Sequence, residues 1–158
     1  MSKMTIICDT REQVGKGWKF RASANCRGVI REKLDVGDYS LKGYEHLVCI
    51  ERKTLGDLYG TLGNQTNYNR FLKEWERAKD HPIKMLIIEA TLAEVNKGYP
   101  WSRVHPNNIH GKLISLQVKH NVHVVFAGRK DKARAYTRKL LSKLWNYCED
   151  GVICAAKA

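Results

Sequence analysis

Two periods of apolar and polar positions succeed one another along the chain. Met4-Thr5-Ile6-Ile7-Cys8 is a short apolar run that predicts a strand over 4–8. It is followed by the polar stretch Asp9-Thr10-Arg11-Glu12-Gln13 and the turn Val14-Gly15-Lys16-Gly17. Residues 29–36 alternate loosely and end at the Gly37-Asp38 turn; residues 46–53 read as a third strand whose apolar half runs into Glu51-Arg52-Lys53. Beyond this the period lengthens. Leu55, Leu58, Tyr59 and Leu62 predict a short helix, and Phe71, Leu72, Trp75 and Ala78 predict another, with Lys73, Glu74, Glu76 and Arg77 on its other face and Pro82 beyond it. Met85-Leu86-Ile87-Ile88 is continuously apolar, which suits a strand covered on both faces. Residues 107–119 predict a helix and Val122–Phe126 a strand. A last helix carries Ala133, Tyr136, Leu140, Leu141, Leu144 and Trp145, with Asp131 near its positive end. Strands first, then helices alternating with strands, predict the α/β class: one domain over 1–158, with a central mixed β-sheet flanked by helices.

A chain of 158 residues is long enough to bury a core without disulfides. Its five cysteines are an odd number with no C-x-x-C pair, so they read as small buried hydrophobes rather than a disulfide scaffold or zinc ribbon. No apolar run approaches the roughly 18 residues of a membrane span, and the first apolar stretch is too short for a signal peptide. These features predict a cytoplasmic protein with no membrane partner. The 28 Lys and Arg against 16 Asp and Glu give a net charge of +12, most of it in residues 97–147, where eleven basic residues face a single acid, Asp131. Such a surface draws polyanions by neutralising phosphates and releasing counterions. Charge alone fits a merely soluble cationic protein equally well. His105, His110, His120 and His123 lack a ligand spacing with Cys and read as surface histidines. Trp75 and Trp145 fall on apolar helical faces; Trp18 and Trp101, beside basic and Gly or Pro residues, fit stacking on unpaired bases or burial at loop bases.

Strand alternation puts Cys49, Glu51 and Lys53 on one face and Val48, Ile50 and Arg52 on the other. A carboxylate and an amine then stand side by side at the strand's exposed end. If the preceding strands pair as a hairpin, Asp38 falls near Glu51. Two such carboxylates repel unless one is protonated or a cation lies between them. Mg²⁺, a hard ion that takes oxygen ligands and keeps several waters, suits the pair. Lys53 can then orient or help deprotonate an attacking water and screen phosphate charge.

An acid followed by E-x-K along a strand resembles the PD-(D/E)xK nuclease superfamily. The fuller string Gly37-Asp38-Tyr39 … Glu51-Arg52-Lys53-Thr54-Leu55-Gly56-Asp57 resembles the motif of XPF-type structure-selective endonucleases. Asp9-Thr10-Arg11-Glu12 is similar to that family's first-strand acidic motif, Tyr68-Asn69-Arg70-Phe71 to its Arg-containing helix start, and Leu86-Ile87-Ile88-Glu89 to the next core strand. The likeness covers nearly the whole chain and is closest to the short forms of phages and bacteria. It implies a restriction-endonuclease-like fold and metal-dependent hydrolysis of DNA phosphodiesters in repair, recombination or phage DNA processing. DNA is the implied partner and Mg²⁺ the implied cofactor, with Mn²⁺ able to substitute.

Carried over by position, the resemblance makes Asp38 and Glu51 metal ligands and Lys53 the residue acting on water and phosphate. Arg52 braces the site or contacts phosphate. Asp57 binds a second metal through water or fixes Arg52 or Lys53. Asp9 and Glu12 complete the metal site from the side, and Arg11 and Arg70 contact phosphate. The tandem helix-hairpin-helix domain of larger members is missing from the sequence, which leaves preference for flaps, forks or junctions open, and a homodimer equally open. The alternative is a non-cleaving module that binds DNA or a partner on a nuclease fold; retention of Asp38, Glu51, Lys53 and Asp57 argues for the enzyme.

Overall fold

The computed structural model describes residues 2–157. Six strands, β1 (Met4–Asp9), β2 (Cys26–Glu32), β3 (Tyr39–Leu41), β4 (Val48–Thr54), β5 (Ile83–Glu89) and β6 (His123–Phe126), form one sheet in the order β2-β1-β3-β4-β5-β6. The pairs β1–β2, β4–β5 and β5–β6 are parallel; β1–β3 and β3–β4 are antiparallel. The helices are α1 (Leu55–Leu62), α2 (Gln65–Arg77), α3 (Leu92–Lys97), α4 (Pro106–His120) and α5 (Lys130–Glu149). The expected α/β class with a mixed sheet is the fold observed.

The alternation of the central strands builds two cores. Val48 and Ile50 of β4 and Met85 and Ile87 of β5 face α5, Trp18 and Phe20; Cys49, Leu86 and Ile88 face α1, α2 and α4. That is why β5 reads as an unbroken apolar run: both faces are covered. The helix starts are set locally. Thr54 Oγ1 accepts from Asp57 N at 3.1 Å to cap α1, and Asn64 caps α2 through Asn67 N. Thr91 and Glu94 form a reciprocal capping box on α3.

Three expectations are corrected. The strand expected over 29–36 ends at Glu32, and it does not form the hairpin with the 46–53 segment; it lies at the sheet edge beside β1. The hairpin partner of β4 is the three-residue strand β3, which starts one residue after Asp38. The chain leaves the sheet because Leu34 N is captured by Asp9 Oδ1 at 2.7 Å, Val36 turns into the α1–α2 core, and Gly37 takes φ +82°. A side chain at Gly37 would also meet Cys49 Sγ at 2.9 Å, so glycine is required both for the turn and for the close approach. Helix α3 escapes apolar periodicity because only Val95 of it is buried. Four cysteines are buried as expected, but Cys154 is exposed.

Candidate active site

The carboxyl ends of the parallel strands β1, β4 and β5 and the amino end of β3 meet at one edge of the sheet, where open α/β sheets place their ligands. A cavity of about 670 Å³ opens there, lined among others by Asp38, Glu51, Lys53, Asp57, Glu74 and Arg77.

Asp38 is locked between two strands. Its N–H donates to Ile50 O at 2.8 Å, its carbonyl accepts from Asp9 N at 2.8 Å, and its Oδ2 accepts from Arg52 N at 2.8 Å. Glu51 and Lys53 share the face of β4 that strand alternation requires, with Lys53 Nζ 3.3 Å from Glu51 Oε1. The Lys53 ammonium also sits 5.0 Å from the centroid of the Phe71 ring, which steadies the cation. Asp38, Glu51 and Lys53 are therefore brought together as the sequence implied.

Burial pushes the Asp38 carboxyl up to about 6, with Glu12 and Glu74 adding to the rise and the Arg52 N–H and Lys53 opposing it. Burial also raises Glu51 well above the usual carboxylate range; the Asp38 charge adds to this and Lys53 counters it. One ammonium does not offset two desolvated acids. Burial alone would lower Lys53, but Glu51 and Asp38 outweigh it, so the side chain is held as an ammonium. In that state Lys53 is a hydrogen-bond donor and a positive charge beside both acids.

The donor set fits a hard divalent cation. Asp38 Oδ1 and Glu51 Oε2 receive no protein hydrogen bond among the described residues, and both side chains line the cavity. No group of three or more His, Cys, Asp or Glu converges as a ready-made ligand set among the described residues. Mg²⁺ does not need one, since one or two carboxylates, waters and substrate phosphate suffice.

The other acids are engaged elsewhere. Asp9 Oδ1 accepts from Leu34 N, and its Oδ2 accepts from Arg11 N at 3.0 Å and Arg11 Nε at 2.7 Å. Burial would raise this carboxyl, but those hydrogen bonds outweigh it and hold it below its usual range. Glu12 Oε1 lies 3.3 Å from Arg52 Nη1. Both acids line the cavity, with both Asp9 oxygens accepting hydrogen bonds and one Glu12 oxygen paired with Arg52.

Arg52 is buried on the opposite face of β4. Its Nε donates to Glu89 Oε1 at 2.8 Å, and its guanidinium carbon lies 5.9 Å from the Trp18 ring centroid. Trp18 Nε1 donates to the same Glu89 oxygen at 2.8 Å, and Trp18 N donates to the Tyr39 hydroxyl at 2.7 Å. Of the two roles open to Arg52, bracing is the one its contacts fit, and Trp18 is buried rather than presented to a base.

Asp57 is exposed on the first turn of α1, where the helix dipole favours an acid; no hydrogen bond joins its carboxylate to Arg52 or Lys53 among the described residues. Arg11 lines the cavity and also donates to Leu34 O at 3.0 Å, while Arg70 is exposed on α2 outside the cavity lining. Glu74 and Arg77, later on α2, do line it, as do Glu89 of β5 and Lys130 at the start of α5. Sequence reading left Glu74 and Arg77 on a solvated helix face, and nothing in their spacing separates a cavity wall from bulk solvent.

A comparison with curated protein sequences finds no match. Solved structures share the fold, among them two of XPF from Aeropyrum pernix. XPF from Aeropyrum pernix aligns with a TM-score of 0.64 at 18% identity over 94% of this chain and 68% of that one. The DNA complex of XPF from Aeropyrum pernix aligns at 0.62 and 17% identity over 91% of this chain and 66% of the other. This chain thus spans about two thirds of their length. The family profile described as the ERCC4 domain matches residues 8–140, a stretch that runs from the end of β1 to the middle of α5 and holds every residue lining the cavity, so the chain belongs to the ERCC4 domain family.

Proposed function

We propose that this protein is a Mg²⁺-dependent DNA endonuclease that hydrolyses phosphodiester bonds, with Mn²⁺ as a working substitute. The observation that carries this reading is the convergence of Asp38 and Glu51, two desolvated carboxylates with raised pKa values, beside the Lys53 ammonium at the mouth of a cavity with basic residues on its wall. Membership of the ERCC4 domain family and the fold shared with a protein solved in complex with DNA support DNA as the substrate.

Asp38 and Glu51 would hold the cation. When bound, it lowers the pKa of a coordinated water and stabilises the charge that develops on phosphorus oxygens. Lys53 donates to water or a non-bridging phosphate oxygen and adds positive charge where negative charge grows. The Arg52–Glu89 pair fixes the end of β4 against β5 and so holds Glu51 and Lys53 in register. Arg77 and Lys130 on the wall hold the flanking backbone.

The test is a panel of labelled flaps, forks, junctions, duplexes and single strands incubated with Mg²⁺, Mn²⁺ or chelator. Cleavage of at least one substrate with metal, none with chelator, and loss of cleavage in Glu51→Gln is the expected result. Salt-sensitive binding with no product at any metal concentration would instead establish a non-cleaving module.

A further inference from the structure

Helix α5 carries Lys130, Arg134 and Arg138 at intervals that align them on one stripe of the helix. The stripe starts at the candidate active site. Lys130 lines the cavity, and its ammonium donates to the carbonyl of Lys16, another lining residue, at 2.6 Å. From there the stripe enters a second cavity of about 440 Å³ between α5 and the 19–23 segment.

Five cations, Lys19, Arg21, Arg134, Arg138 and Lys139, surround this second cavity. Its lining includes the apolar ring of Phe20, and among the described residues no acid lines it. Among the described residues none of the five forms a salt bridge. Arg138 is held in place by neutral acceptors, donating to Arg21 O at 2.9 Å and Ser23 Oγ at 2.6 Å. Like charges gathered without a counter-charge repel one another, and an external polyanion relieves that repulsion.

We propose that this seam is a docking track for the DNA phosphodiester backbone on one side of the scissile bond. The proposal rests on the nuclease reading for the identity of the polyanion, and its geometric support is the unbroken run of cations from the first cavity into the second. From Lys130 to Arg138 the helix rises about 12 Å. That is the axial span of about three to four phosphates on one strand of a duplex.

The experiment is fluorescence anisotropy with a labelled duplex in chelator, so that nothing is cut, at salt concentrations from about 50 to 200 mM. The double variant Arg134→Gln/Lys139→Gln removes two exposed cations that make no side-chain hydrogen bond among the described residues. Matching thermal melts check that it folds as the wild type does. It is expected to bind at least about tenfold more weakly, with the slope of log K against log salt shallower by about 1.8. Lys119→Gln, an exposed cation on α4 outside the seam, is expected to keep the wild-type affinity and slope. Wild-type affinity and slope in the double variant, or an equal loss in Lys119→Gln, would overturn the track. Cleavage assays with Mg²⁺ score the nuclease reading separately. A wild type that binds along the seam but never cuts would remove that reading alone, and one that cuts while the double variant binds normally would remove the track alone.

Discussion

The backbone N–H of Arg52 donates to Asp38 Oδ2 at 2.8 Å, one residue beyond Glu51. The position of Asp38 relative to Glu51 is therefore set by the register of β4 and not by the conformation of a loop. With Asp38 N on Ile50 O and Tyr39 opposite Ile50, the turn is clamped to β4 on both sides of Glu51.

Asp38→Asn keeps an oxygen to accept from Arg52 N but removes a buried charge. The folded-state pKa of about 6 lies above the ordinary aspartate value of 3.8, so the folded protein binds more protons between those values. Its contribution to stability is fully present below about pH 4 and is lost as pH rises through about 6. Thermal unfolding in chelator should show the Asn variant gaining on the wild type across that window, by up to about 3 kcal/mol at neutral pH. A constant difference between the two curves would contradict the assignment. Cleavage should be lost in the same variant.

Metal and protons compete for the same oxygens. Mn²⁺ should raise the melting temperature of the wild type at pH 7.5 and much less so at pH 5, below the raised pKa of Asp38. Glu51→Gln should show little metal-dependent rise at either pH. Calorimetric titration across this range measures the effect directly.

The Arg52–Glu89 pair is buried, with side-chain exposures of 7% and 6%. Removing one partner of a buried pair costs about 3–5 kcal/mol, and for Glu89 the Glu12 carboxylate 3.3 Å from the Arg52 guanidinium keeps the loss at the lower end. Glu89→Ala should lower stability by that order, and it also leaves Trp18 Nε1 without its acceptor. The Arg52→Met/Glu89→Leu double variant should recover much of the loss. Urea unfolding of the three proteins gives the cycle, and a double variant no more stable than Glu89→Ala would contradict it.

Gly37→Ala should separate the site from the rest of the fold. Its φ of +82° and the 2.9 Å approach to Cys49 Sγ make any side chain costly, by about 1–2 kcal/mol from the backbone alone. The strain falls on the residue before Asp38, so metal affinity should drop more than stability does. Equal affinity in titration calorimetry would contradict this.

The chemistry at the end of β4 was legible because strand alternation is a local rule: Glu51 and Lys53 share a face whatever surrounds them. The location of Asp38 was legible in outline, but its route was not. The segment before it alternates enough to look like a partner strand, whereas the true partner, β3, is too short to show a period. The partners of Asp9 and Glu12 include donors distant in sequence, Leu34 N for Asp9 and Arg52 Nη1 for Glu12, which no spacing reveals. Glu74 and Arg77 were hidden for another reason. Helical periodicity separates core from non-core positions, but it does not say which polar face closes a cavity.

The central claim is that Asp38 and Glu51 share one divalent cation. Anomalous diffraction from a crystal soaked in Mn²⁺ tests it most directly. The account predicts an anomalous peak bridging a carboxylate oxygen of Asp38 and one of Glu51, absent from a Glu51→Gln crystal. A peak bound elsewhere in a protein that cuts DNA with Mn²⁺, with these two carboxylates unengaged, would contradict it.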